Sequence, residues 1–221
     1  MVQGCEVATS VKKILITDDH DLIRRGLRTL VETRPNLKVV AEAATGLEAI
    51  EAARETNPDI AILDYSLPEL NGLDLTIALR AILPRLEVLI YTMHEREALM
   101  VELLQAGARG FVLKSETEAH LLAAVDALAL HRPYYSGAMS DTLVARFQSN
   151  KPSSETSSLT MRERGIVQLI AEGRMNKEVA RMLSISVKTV ECHRAAAMQK
   201  LDLRTTAELV RYAVRNNIVQ A

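Results

Sequence analysis

Residues 60–64, Ile60-Ala61-Ile62-Leu63-Asp64, settle the architecture: four apolar residues in a row run straight into a carboxylate. A run this short, apolar at every position, reads as a parallel strand buried on both faces. Three further runs end on an equally pointed residue. Ile14-Leu15-Ile16-Thr17 delivers Asp18 and Asp19, Val88-Leu89-Ile90-Tyr91 delivers Thr92, and Phe111-Val112-Leu113 delivers Lys114. In open parallel sheets ligands sit in the crevice outside the carboxyl ends of the strands. Three carboxylates, one hydroxyl and one ammonium are therefore expected at a single edge.

Around these runs, residues 11–131 alternate strand-like and helix-like segments five times. Strands are expected at about 12–17, 37–43, 59–64, 86–92 and 109–114. Ile23, Leu27, Leu30 and Val31 share one helical face, as do Leu47, Ile50 and Ala53. Further helices are expected at about 72–82, 95–106 and 116–130. Such alternation predicts an α/β doubly wound, five-stranded parallel sheet of flavodoxin-like type, covered by helices on both sides. Pro133 is read as its end, after an N-terminal tail of residues 1–10. Residues 132–158 read as a linker, helical over about 137–149 and Ser-rich from Asn150 to Ser158. The remainder, 159–221, carries no strand signal and reads as a small all-α domain of four helices. Thr160-Met161-Arg162-Glu163 is a capping box, and Gly173 ends the helix that it opens. Asn176, Ser186 and either Thr205 or Thr206 cap the next three. The second and third are joined by Leu183-Ser184-Ile185-Ser186, the layout of a helix-turn-helix whose second member reads DNA.

Composition agrees with two domains that meet different partners. From Ser158 onward there are 11 Lys and Arg against 6 Asp and Glu, whereas residues 1–157 carry 16 against 22. An acidic first part and a basic last part point the second toward nucleic acid. No apolar stretch approaches the roughly 20 residues that span a bilayer, and residues 1–10 lack the pattern of a signal peptide. With only Cys5 and Cys192, a disulfide framework is not expected, and a cytoplasmic location without membrane partners fits. There is no Cys/His cluster to suggest zinc.

Crowded carboxylates repel one another, and a hard divalent cation such as Mg2+ relieves that repulsion through oxygen ligands. Asp64 is placed to attack a phosphoryl group and form an acyl phosphate. Asp18 and Asp19 are placed to hold the metal, which offsets charge on the transferring group. Lys114 can pair with a phosphoryl oxygen, and Thr92 can donate its hydroxyl to another, pulling its strand end into a second state. Taken singly, each has a blander reading: an Asp as a helix cap, Lys114 as a solvated strand end, Thr92 as a cap. Their joint occurrence at separate strand ends favours the chemical reading.

Residues 11–131 closely resemble the receiver domain of bacterial two-component response regulators. The resemblance rests on Asp18-Asp19, the run from Asp64 to Gly72 (D-Y-S-L-P-x-x-x-G), Tyr91-Thr92, and the run from Ala106 to Lys114 (A-G-A-x-G-F-x-x-K). It implies that Asp64 accepts a phosphoryl group from a sensor histidine kinase, with Thr92 and Lys114 completing the catalytic set. It implies metal ligation by Asp18, Asp19, Asp64 and the Ser66 backbone carbonyl. Thr92 and Phe111 become switch residues, although Phe111 also reads as an ordinary core aromatic. Ser66 and His94, two residues beyond Asp64 and Thr92, occupy positions that tune acyl-phosphate lifetime. Lys114 is followed by Ser115 rather than the proline found in many receivers.

Residues 159–219 resemble the LuxR-type helix-turn-helix, and the order of the two parts resembles the NarL/FixJ class. The matching residues include Leu159-Thr160-x-Arg162-Glu163, Ala171-Glu172-Gly173, Asn176-Lys177-Glu178-Val179-Ala180, Ile185-Ser186-x-Lys188-Thr189-Val190-x-x-His193-Arg194 and Ala207-Glu208-Leu209-Val210. Lys188, Arg194 and Lys200 can reach phosphates, which give affinity without sequence information. By the resemblance, Lys177, Thr189 and His193 also belong to the DNA-binding set, and Glu191, Cys192 and Ala195 face the bases. Glu191 could accept from cytosine N4 and Ala195 touch a thymine methyl; Glu191 also reads as a solvated helix carboxylate. Glu208 and Arg211 fall where the family dimerises on DNA. The expectation is a non-enzymatic regulator that binds double-stranded DNA as a homodimer when phosphorylated, its receiver covering or misorienting the reader beforehand. The rivals are a phosphorylation-independent DNA-binding regulator, a phosphohydrolase using Asp64, and a small-molecule-sensing LuxR receptor. Hydrolases of that kind commonly place an acid/base carboxylate where Ser66 stands.

Overall fold

The first strand, β1 (Lys12–Thr17), lies between β2 (Leu37–Ala43) and β3 (Ile60–Leu63), and all three run parallel. In a computed structural model, which describes residues 11–137, 159–183, 185–216 and 218–219, they belong to a six-stranded sheet of order β2-β1-β3-β4-β5-β6. The strands β4 (Glu87–Thr92), β5 (Gly110–Leu113) and β6 (Tyr134–Tyr135) complete it, again parallel. The chain leaves β1 toward one edge and returns at β3 toward the other. The carboxyl ends of β1 and β3 therefore flank the point where strand order reverses, the place where such sheets bind ligands.

Alternation along the strands divides the core in two. Ile14, Ile16, Ile60, Ile62, Leu89 and Val112 face a layer that includes Leu27 and Val31 of α1 (Asp21–Val31) and Leu121, Val125 and Leu128 of α5 (Glu118–Ala129). Leu15, Leu63, Val88, Ile90, Phe111 and Leu113 face α2 (Gly46–Thr56), α3 (Gly72–Ile82) and α4 (Glu97–Gln105). Burial on both faces is what makes each strand a continuous apolar run.

The sheet exceeds the expected five strands by one. Pro133 does not end it: Tyr134 and Tyr135 pair with Gly110 and Phe111, so part of the expected linker is strand. Two residues are too few to show a period of two in the sequence. The rest of the expected linker, including the helix at about 137–149, and the tail of residues 1–10 lie essentially outside the described residues.

The second domain has four helices: α6 (Met161–Ala171), α7 (Asn176–Met182), α8 (Val187–Lys200) and α9 (Thr206–Arg215). Thr160 and Glu163 form the capping box, Ser186 caps α8 by accepting from the Thr189 N–H, and Thr205 rather than Thr206 caps α9. Asn176 does not cap α7. It is the first helical residue, and the Met175 N–H donates instead to Glu178. Gly173 follows α6 with φ +87°, a left-handed conformation that favours glycine. Ile166, Val167, Ile170, Val179, Val190, Ala197, Leu209 and Ala213 close a separate core.

Candidate functional site: an acid pocket and a basic reader helix

Each strand end delivers its residue as expected. Asp64 follows β3, is 3% exposed, and its Oδ2 lies 2.9 Å from Lys114 Nζ. The same ammonium lies 2.6 Å from Asp18 Oδ2, on a residue that is 1% exposed. Lys114 is thus the bridge between two buried carboxylates. Burial works against its charged form, but Asp64 and Asp18 outweigh that effect and raise its pKa above the usual lysine value.

The remaining oxygens are held by the backbone. The Tyr65 N–H donates to Asp64 Oδ1 at 2.7 Å, and the His20 N–H donates to Asp18 Oδ1 at 2.9 Å. Asp19 is partly exposed and its Oδ1 contacts His20 Nδ1 at 2.7 Å. Asp18, Asp19 and Asp64 outnumber the one ammonium among them by two charges. Asp18 Oδ2 is buried and has no well-aligned hydrogen bond despite its ion pair. Surplus negative charge on an all-oxygen donor set fits a hard divalent cation. His20 adds an imidazole whose ligand atoms lie within 4.8 Å of those of Asp18 and Asp19.

The pocket has a volume of about 450 Å³. His20, Ile23, Tyr91, Thr92, Met93 and His94 line it together with Asp64, Ser66 and Lys114. Thr92 is fully buried, and its Oγ1 accepts from the His94 N–H at 3.3 Å. Ser66 Oγ and His94 Nε2, both on the pocket lining, are 2.6 Å apart. Burial lowers the His94 pKa below the ordinary imidazole value, opposed by Asp64, so the ring is neutral near pH 7. Phe111 is 2% exposed and packs on the α2–α4 side of the sheet.

Behind Asp64 the chain turns tightly. The Gly72 N–H donates to the Tyr65 carbonyl at 2.7 Å, and a Cβ at position 72 would stand 2.6 Å from the Asp64 carbonyl oxygen. Only glycine fits there without displacing the backbone of the acid residue.

The reader helix α8 presents Lys188, Glu191, Cys192 and Ala195 to solvent, with Lys177 of α7 exposed beside them and Thr189 and His193 half-buried. Two cations expected on phosphates are tied down. Arg194 donates to Asn176 Oδ1 at 3.3 Å and Thr206 Oγ1 at 2.5 Å, which links three helices. Lys200 Nζ pairs with the buried Glu163 at 2.7 Å. Arg162 donates to the Leu183 carbonyl. Arg211 is exposed, and Glu208 accepts the Arg204 and Thr205 N–H groups as part of the α9 cap.

Among the described residues, Lys188, Glu191, Cys192 and Ala195 of α8 are exposed rather than covered by the receiver. The second domain instead rests on the loop after β3 and on α4 through α6. Sequence reasoning missed these contacts, for Gln168 carries no signal beyond being one polar residue of an amphipathic helix. His20 was also missed, although it directly follows the acid pair.

Comparison with known proteins agrees with both halves. Residues 14–126 match the model described as response regulator receiver domain, and residues 157–213 that described as bacterial regulatory proteins, luxR family. The oxygen regulatory protein NreC of Staphylococcus haemolyticus (strain JCSC1435) is 36% identical over 214 residues, covering 94% of this chain and 99% of the relative. A two-component response regulator of the LuxR family from Aurantimonas sp. SI85-9A1 is 37% identical over 63% of this chain and 99% of its own, with a TM-score of 0.60. RcsB from Salmonella enterica serovar Typhimurium, bound to promoter rprA with the phosphomimetic BeF3−, is 25% identical. It covers 91% of this chain and 97% of its own at a TM-score of 0.62.

Proposed function

Because the chain belongs to the response regulators that join a receiver domain to a LuxR-type DNA-binding domain, we propose that its DNA binding is switched by phosphorylation of Asp64. The observation that carries this reading is the Asp18–Lys114–Asp64 bridge at the carboxyl edge of the sheet. An Asp64 carboxylate oxygen attacks the phosphorus of a phosphohistidine on a sensor kinase. The P–N bond breaks, its electron pair returns to the imidazole, and an acyl phosphate forms. Lys114 then exchanges Asp64 Oδ2 for a phosphoryl oxygen, and the Thr92 hydroxyl turns toward another. Asp18, Asp19, Asp64 and the Ser66 carbonyl would hold Mg2+, which supplies charge neutralisation when bound. Phe111 follows Thr92 as the second switch residue.

The receiver domain in this reading is 11–131, extended by β6, and the DNA-binding domain is 159–221. Lys177, Lys188, Thr189 and His193 approach the DNA backbone, while Glu191, Cys192 and Ala195 face bases. Arg194 and Lys200 serve the scaffold first. Phosphorylation favours a homodimer that uses Glu208 and Arg211 on two half-sites. The regulator works in the cytoplasm; no helix among the described residues is long and apolar enough to cross a membrane. The relatives are named as regulators, and no role as an enzyme is assigned. The Ser66–His94 pair closes the water path to the acyl phosphate, so His94→Ala and Ser66→Ala shorten its lifetime. Time-resolved dephosphorylation reads this, and an unchanged lifetime in both rejects it.

Light scattering with Mg2+, with and without beryllium fluoride, tests the main reading. A mass doubling on adding fluoride that is absent in Asp64→Ala is expected. Doubling that persists in Asp64→Ala overturns it.

A further inference from the structure

Asp18, Asp19 and His20 form the turn that joins β1 to α1. The His20 N–H donates to Asp18 Oδ1 at 2.9 Å, and Arg24 Nη1 donates to the Asp18 carbonyl at 2.7 Å, which fixes the turn. His20 lines the acid pocket, and its Nδ1 lies 2.7 Å from Asp19 Oδ1 and 3.3 Å from Asp18 Oδ1. Neighbouring ligands of an octahedral ion with bonds of about 2.1 Å stand about 3.0 Å apart, and the two distances straddle that value. The other Asp18 oxygen, Oδ2, is taken by the Lys114 ion pair and has no well-aligned hydrogen bond, on a residue that is 1% exposed.

The fold makes no use of the imidazole as a cap. His20 stands at the N-cap position of α1, yet its side chain makes no capping hydrogen bond and is 56% exposed. What it does offer is a nitrogen in an otherwise all-oxygen donor set. Adding the imidazole to Asp18, Asp19, Asp64 and the Ser66 carbonyl leaves one position of an octahedron for a phosphoryl oxygen. Such a set suits Mg2+ poorly, because that ion prefers oxygen and gives up its waters reluctantly. First-row transition ions accept imidazole readily, and Fe2+, Co2+ and Ni2+ gain most from a mixed nitrogen and oxygen site.

We propose that His20 is a further ligand of the acid pocket, and that its nitrogen makes the pocket prefer a divalent transition ion of the Fe2+, Co2+ and Ni2+ class over Mg2+. This rests on the acid pocket holding a divalent cation, as proposed above. It adds a choice of ion to that reading: the pocket responds to whichever transition ion is available as well as to a phosphoryl donor.

The test uses Co2+ and Mg2+ on the full chain without any phosphoryl donor. Isothermal titration calorimetry gives the affinity of each ion, and proton NMR reports whether an imidazole touches the paramagnetic Co2+. The unmodified protein should bind Co2+ at least about tenfold more tightly than Mg2+ and show a strongly shifted imidazole resonance. His20→Ala and His20→Gln should each weaken Co2+ by about tenfold or more, leave Mg2+ within about twofold, and lose that resonance. Asp19→Ala should lose both ions. Unchanged Co2+ affinity in both His20 variants would overturn the proposal, with His20 then only a hydrogen-bonding neighbour of Asp19. Equal weakening of Co2+ and Mg2+ would also overturn it, since the imidazole would then merely position the carboxylates. Co2+ retained by Asp19→Ala would place the ion elsewhere and reject the site. Failure of the unmodified protein to bind either ion would instead overturn the cation pocket of the function proposed above, and this inference with it.

Discussion

The two ends of the central sheet bury charge in opposite ways. At the amino end, Glu87 is 4% exposed, and its Oε1 lies 3.1 Å from Arg109 Nη1 and 2.8 Å from His131 Nδ1. One carboxylate there has two nitrogen partners that reach water. At the carboxyl end, the buried carboxylates of Asp18 and Asp64 share one ammonium, and Asp19 beside them meets His20. The first arrangement gives its one carboxylate two nitrogen partners on Oε1, although Oε2 is buried without a hydrogen-bond partner, and its worth is stability. The second is short of positive charge, a deficit that fits the cation and the phosphoryl group of the function proposed above. Buried charge alone therefore does not mark a site; its balance does.

The largest expected consequence is chemical. Asp64→Asn should abolish phosphoryl uptake from acetyl phosphate with Mg2+, read by intact-mass spectrometry, while the fold remains. Residual uptake would place the acceptor elsewhere.

Asp74 of α3 extends the contrast to a further buried carboxylate. Desolvation raises its pKa from 3.8 to about 6, with Arg164 and the Asn71 side chain only partly opposing. A carboxyl whose pKa rises on folding favours the protonated form in the fold. Stability is then greatest below pH 4, falls as pH rises through about 6, and is level above. Asp74→Asn should stabilise the protein by roughly 2 kcal/mol at pH 7.5 and by nothing near pH 4. Urea unfolding across that range checks the sign, and a gain independent of pH would refute the assignment.

Glu87→Gln should cost about 1–2 kcal/mol in the same measurement, because Arg109 and His131 can turn to water once the carboxylate is lost. Asp64→Asn should move stability the other way, by under about 1 kcal/mol in metal-free buffer, by easing the crowding around Lys114. Opposite signs at the two ends would uphold the contrast, and equal losses would remove it.

The acid pocket was legible in the sequence because buried parallel strands are unbroken apolar runs, and a run's end places the next residue at the sheet edge. Asp64, Thr92 and Lys114 needed nothing else. The capping box at Thr160 was legible because it is local, whereas the cap of α9 was narrowed only to Thr205 or Thr206. What escaped notice is non-local or too short. Tyr134–Tyr135 offers two residues of strand, and Lys200 finds Glu163 rather than solvent because the helices cross there. Gln168 meets Asn71 across 97 residues of chain, and no periodicity shows which of several polar side chains on α6 will be the one sealed from water.

The open face of α8 has a kinetic corollary. Weak, salt-governed attraction to duplex phosphates needs no switch, so a regulator whose reader is already uncovered can slide and hop on the chromosome while still unmodified. Search is then finished before the signal arrives. With Asp64 as the switch proposed above, the delay between stimulus and response becomes the time taken to modify that carboxylate on a molecule already near its target.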